Sequence, residues 1–180
     1  MDPLSIIEKH YKKNSKAYSI LLTHSRLVTE KAVKIAEQIN ESADKNFIYE
    51  ASMLHDIGMI FTHAPDIGCY GNHPYITHGI LGRKLLEEEG LFDHAAVAEK
   101  HTGTGITKEE IKEKNLPLPL RDMVPVTLEQ EIICYADKFF SKDPEKLLYE
   151  KPAEDVAEAM GKYGKSHLEK FREWHLRFNV

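Results

Sequence analysis

Residues 15–39 read SKAYSILLTHSRLVTEKAVKIAEQI, and this stretch decides the fold class. Ala17, Ile20, Leu21, His24, Val28, Ala32, Ile35 and Ile39 recur at three- and four-residue steps, the spacing of one helix face. Lys31, Lys34, Glu37 and Gln38 take the opposite face. His24 is the one polar member of the apolar stripe. Working outward, a second helix is expected over 46–57, stopped at Gly58 by a left-handed turn. Pro65, Gly68, Gly71 and Pro74 make 59–76 a long ordered loop or lid. The next helix opens near Thr77, carries His78, Leu81, Gly82, Leu85 and Leu86 on one face, and ends at Gly90. Asp93 can cap a short helix through His101 that Gly103 closes.

The Pro-rich run LPLPLRDMVPV, 116–126, is a connector. Thr127 and Gln130 then form a capping-box pattern for a helix through Phe140, with Ile133, Ala136, Asp137 and Phe140 on one face. The end of the chain reads as one or two amphipathic helices whose core side is Val156, Met160, Tyr163, Phe171 and Trp174. Strand-like alternation is almost absent, so the expected class is all-α: a compact helical bundle. No repeat or composition break divides the chain, and one domain over 1–180 is expected, with a core at about 15–141 and C-terminal helices at about 152–178 packed on it.

Composition narrows the function classes. Hydrophobic residues at 42% and charged residues at 29% are ordinary for a globular protein. A formal net charge of −5 argues against a broad grip on nucleic-acid backbone, though not against a small basic pocket for one phosphate. No apolar run approaches membrane-spanning length, and the N-terminus MDPLSIIEKHYKKN lacks a secretory signal pattern. Cys69 and Cys134 are too few for a disulfide framework and have no zinc-type spacing, which suits two reduced thiols in a cytoplasmic protein. The compositional oddity is ten histidines.

His24, the His55–Asp56 pair, His78, His101 and Asp137 all fall on stripes that should face the core. A lone histidine on such a stripe is usually a satisfied core residue, but a buried lone carboxylate needs a cation or donors to offset its desolvation. Asp137 lies in ICYADKFF, 133–140, with apolar neighbours at helical steps, and Asp56 lies between MLH and IGMIF. Two acids and four histidines pointing inward can resolve this together by sharing metal.

His55-Asp56-Ile57-Gly58 resembles the HDIG signature of the HD superfamily of metal-dependent phosphohydrolases. His24 ahead of that pair and Asp137 behind it complete the family's ordered pattern, and TLEQEIICYADKFF, 127–140, is similar to the late-helix motif of stand-alone members. The likeness covers about 20–141. It implies divalent metal, with manganese or iron favoured. His24, His55, Asp56 and Asp137 would hold a first ion, and Asp56 would bridge to a second held by His78 and His101. It implies hydrolysis of a phosphate ester, such as a nucleotide or small phosphorylated metabolite, by a metal-activated water with Asp56 central to catalysis. Other superfamily members with the same six residues hold two irons and cleave a C–C or C–P bond with O₂, and a non-catalytic metal-stabilised regulatory domain is a third reading.

Two departures stand out. Met59 occupies a place where many relatives have a basic residue, and no Gly-Tyr-Pro follows His101. His63 and His73, in the 59–76 loop, are candidates to contact substrate, and Tyr70, Gly71 and Lys108 also lie near the expected mouth. Arg26, two residues beyond His24, is turned about 200° away. His10, His94, His167 and His175 read as surface or core-edge residues, and the Phe171–Trp174 tail as core.

Overall fold

The computed structural model describes residues 1–39 and 41–179, so the expected extents 1–180 and 15–141 include positions, Asn40 and Val180, that lie outside the described residues. The fold is all-α. The helices are α1 (Pro3–His10), α2 (Lys16–Gln38), α3 (Lys45–Leu54), α4 (His78–Glu88) and α5 (Phe92–Lys100). After these come α6 (Lys108–Glu113), α7 (Leu128–Asp137), α8 (Ala153–Tyr163) and α9 (Lys165–Phe178). Among the described residues the sheet content is one antiparallel pair, β1 (His63–Ala64) and β2 (Cys69–Tyr70).

Helix starts follow short polar side chains. Asp2, Ser15, Asp44, Thr107 and Thr127 accept hydrogen bonds from amides in the first turns of α1, α2, α3, α6 and α7. Each such cap contributes about 1 kcal/mol by satisfying a donor that the helix itself leaves free. Gln130 reaches back to the Val126 amide at 2.9 Å, so the expected capping box forms one residue early.

The structure departs from the sequence reading at several places. The second helix stops at Leu54, and Ile57–Phe61 continues as a 3₁₀ turn. Gly58 is therefore no left-handed terminator: a Cβ there would lie 2.2 Å from both Gly82 N and His78 O, so its role is close approach of α4. The helix bearing Asp137 ends at that residue, not at Phe140, because the Phe139 and Phe140 amides bond three residues back, to Ala136 and Asp137. Asp93 lies inside the first turn of α5, behind Leu91, and does not cap it. Tyr163, expected in the core, is 58% exposed at the end of α8. Helix α6 went unforeseen because KEEIKE offers a single apolar residue, Ile111, and one residue has no periodicity.

Packing places the site. Helix α2 lies on α3 and α7, and α4 on α5. One apolar cluster joins the second half of α2 to α7, α8 and α9 through Val28, Ile35, Ile132, Tyr135, Phe171 and Trp174. Another joins the first half of α2 to α1, α3 and α4 through Ile7, Leu21, Leu54, Met59 and Leu86. His24 sits between Leu21 of one cluster and Val28 of the other. The seam between two apolar bodies is thus where the polar residues gather.

Candidate metal centre and its cavity

All six inward residues are buried, and the structure brings them together. Donor atoms of His24, His55, Asp56 and Asp137 lie within 4.8 Å of one another, as do those of Asp56, His78 and His101. His24 Nε2 is 2.9 Å from Asp137 Oδ1 and 3.1 Å from Asp56 Oδ2, and His55 Nε2 is 3.0 Å from that same Asp56 oxygen. On the other side, Asp56 Oδ1 is 3.4 Å from His78 Nε2 and 3.3 Å from His101 Nε2. The two oxygens of Asp56 therefore face two different groups of imidazoles.

Local chain geometry explains why the Nε2 atoms of His55, His78 and His101 point inward. The Nδ1–H of His55 donates to Ser52 O at 2.6 Å, that of His78 to Tyr75 O at 2.7 Å, and that of His101 to Ala98 O at 2.8 Å. His55 and His101 cap the C-termini of α3 and α5, and His78 opens α4 after the 3₁₀ turn Tyr75–Thr77. Carbonyls in the last turn of a helix lack an intrahelical donor, and a ring three residues on can supply one. That bond commits the Nδ1 proton to the backbone and aims Nε2 at the cluster, the nitrogen on which a metal ion would take the place of a proton.

The arrangement fits a cation. His78 and His101 set their Nε2 atoms 3.0 Å apart, two lone pairs that repel unless something positive lies between or beside them. The side-chain atoms His55 Nε2, Asp56 Oδ1 and Asp56 Oδ2 are buried without a well-formed hydrogen bond. Two donors about 2.1 Å from a shared ion stand about 3.0–3.4 Å apart, the spacing seen here. Burial opposes charge on His55, but Asp56 and Asp137 more than offset it and raise its pKa to about 9. Burial beside His101 pushes His78 down to about 3. Against desolvation, Lys142 and His55 hold Asp56 well below the carboxylate range, and Lys138 and Lys142 do the same for Asp137. Both acids stay ionised.

Those lysines are the functional-site candidates the sequence reading missed. Lys142 Nζ lies 2.6 Å from Asp56 Oδ2, and Lys138 Nζ lies 2.7 Å from Asp137 Oδ2 and 2.9 Å from His101 O. Both line a cavity of about 420 Å³ that also touches Tyr75, His78, Asp137 and Lys151. Tyr75 stacks on His78 with centroids 4.8 Å apart. Lys138 directly follows Asp137, which was a usable signal, but lysines are so often solvated that nothing in the pattern marked these as inward. Met59 is fully buried in the apolar core, so a basic side chain at that position would have no water; cations reach the centre from the end of α7 instead.

The remaining candidates lie elsewhere. His63 and His73 are exposed and pair through backbone, His63 N to His73 O at 2.8 Å, and neither lines this cavity. Tyr70, Lys108 and Arg26 are exposed and also stand off it, as does Gly71. His10 and His94 pair with Glu89 and Glu50, and His175 with the Tyr135 hydroxyl. His167, expected at the surface or core edge, is buried in the cavity wall. Among the described residues, no helix is long and apolar enough to cross a membrane.

An all-helical body with a buried four-histidine, two-aspartate cluster at its seam defines a helical protein of the divalent-metal-binding class. The chain belongs to the HD domain family, whose model matches residues 21–141. It is 33% identical over 172 residues, 91% of this chain and 46% of the relative, to a tRNA (cytidine(56)-2'-O)-methyltransferase of Thermoplasma volcanium. A protein of the same name from Picrophilus torridus is 32% identical over 132 residues, 73% of this chain and 34% of that one. An uncharacterised protein of Methanocaldococcus jannaschii is 38% identical over 121 residues, 65% of this chain and 64% of its own length. The chain thus spans less than half of each named methyltransferase. No solved structure gives a significant match.

Proposed function

We propose that this chain is a metal-dependent phosphohydrolase acting on a small phosphorylated substrate. The observation that carries the reading is the placement of Lys138, Lys142 and Lys151 on the cavity wall beside the ionised Asp56–Asp137 cluster. His24, His55, Asp56 and Asp137 would hold one divalent ion, and Asp56, His78 and His101 a second. When bound, such ions supply Lewis acidity and make hydroxide available near neutral pH. Two divalent ions against two carboxylates leave an excess of roughly two positive charges, and the lysines add to it, so an anion is the natural occupant. Lys138 and Lys142 would neutralise phosphoryl oxygens, Tyr75 would hold His78 in place by stacking, and Phe140 would help keep bulk water from the reacting end.

The two relatives' names favour a second reading, methyl transfer to tRNA, and set aside any simple exclusion of nucleic acid as a partner. More than half of each relative lies outside the match, so their printed activity can reside in that remainder. A site of about 420 Å³ holds a nucleotide-sized group and no duplex. Purified protein with manganese or iron should release phosphate from a phosphomonoester panel, and chelation should abolish the release. Lys142→Met should lower kcat/KM by about tenfold or more, the cost of one charge-assisted contact. Silence across the panel, together with methylation of tRNA from a sulfonium donor or with O₂ uptake, would replace this reading by one of its rivals.

The number of ions is separately testable. His78→Ala and His101→Ala should each remove one ion per chain by elemental analysis while leaving the other, because only Asp56 is shared between the two donor groups. Wild-type stoichiometry and activity in both variants would make these two residues ordinary core histidines.

A further inference from the structure

We infer that the part of the cavity walled by α6, α8 and α9 is a built subsite for a flat, ring-bearing substrate body. This rests on the phosphohydrolase reading for the other end of the ligand. Glu110 of α6 and His167 of α9 both line the cavity. The His167 Nε2–H donates to the Glu110 carboxylate, 3.0 Å from each oxygen. Its Nδ1 accepts the Thr104 hydroxyl at 2.8 Å and the Thr104 amide at 3.4 Å. An amide can only donate, so Nδ1 is the acceptor here and Nε2 carries the proton that faces Glu110. A buried imidazole is thereby committed to orienting a carboxylate that faces ligand space. Lys114 Nζ donates to Glu110 Oε1 at 2.6 Å and to the Tyr163 carbonyl at 2.8 Å.

Counting valences shows what is left over. Glu110 Oε2 keeps one lone pair beyond the His167 bond, and the Lys114 ammonium keeps one of its three N–H groups. One acceptor and one donor side by side match the N–H and C=O edge of an amide-like heterocycle. Around them the wall is apolar, with Ile106, Leu116, Met160 and the Tyr163 ring. Tyr163 meets His167 edge-on at 6.0 Å and leaves 58% of its surface exposed, which a flat ligand would cover. Met160, Tyr163 and His167 belong to α8 and α9, beyond the stretch 21–141 that the family model matches.

The test is calorimetry on metal-loaded protein with three non-hydrolysable probes: methylphosphonate, phenylphosphonate and a uracil-bearing alkylphosphonate. Wild type should bind phenylphosphonate about tenfold more tightly than methylphosphonate. Tyr163→Ala, at an exposed position that folding tolerates, should erase most of that advantage without changing methylphosphonate binding. Glu110→Gln should weaken only the uracil probe, by about tenfold. Equal affinity of wild type for methyl- and phenylphosphonate, or equal losses for both in Tyr163→Ala, would overturn the ring subsite while leaving the phosphate end intact. Failure of wild type to bind any of the three would remove the phosphohydrolase reading and the subsite with it.

Discussion

Asp56→Asn is expected to empty the centre of most of its metal and to lower hydrolysis by more than about a hundredfold, beyond the ten- to hundredfold typical of changes one shell further out. Asp56 is fully buried and is the only residue common to both donor groups. Its Oδ2 faces His24 and His55 and its Oδ1 faces His78 and His101, so a carboxamide must turn an NH₂ toward one of the two pairs. That pair then meets a donor where its lone pairs need a cation. The lost negative charge weakens the other pair as well. Elemental analysis and phosphate release measure both effects, and full metal content with near-normal turnover would show that Asp56 is not the shared ligand.

Gly58→Ala is expected to be among the most damaging single-methyl changes at the described glycines. The added Cβ would sit 2.2 Å from Gly82 N and from His78 O, both backbone atoms that no rotamer change can move. Relief requires α4 to shift outward, and α4 begins with His78. Overpacking of a rigid backbone crossing costs about 3 kcal/mol, which for a chain of this size lowers Tm by about 6–12 °C. The same shift should drag His78 away from His101 and cost the second ion before the first. Thermal unfolding of the metal-free protein separates the packing cost from any loss of ligand. An unchanged Tm would mean that the 57–61 turn can yield.

How far the sequence alone reaches differs between fold and site. The stripe from Ala17 to Ile39 announced α2, and the Thr127 cap located the start of α7, because both signals are local and chemical. The six inward residues were legible for a related reason: a carboxylate in an apolar helical stripe has few stable environments. Helix ends were harder. Leu54 and Asp137 close their helices through 3₁₀ turns whose cause is packing against distant elements, Gly58 against Gly82 among them. Lys138 and Lys142 were invisible because their long stems can point toward water or toward Asp56, and only the folded surroundings choose. His63 and His73 looked apt by position alone, and loop position says nothing of direction.

The backbone anchors of the three imidazoles carry an implication for how this protein can vary over evolutionary time. Where a metal-binding histidine leans on a carboxylate side chain, one codon change at that side chain loosens the centre. Here the supports of His55, His78 and His101 are the carbonyls of Ser52, Tyr75 and Ala98, and every amino acid possesses a carbonyl. No substitution at those three positions can delete the support; only a shift in where a helix stops can. These three supports are therefore insulated against substitution at their own positions and vulnerable to insertion or deletion. A lineage could replace Ser52 and Ala98 freely, within the limits of packing, while a one-residue length change in α3 or α5 would swing a ring by about 100° and abolish the site.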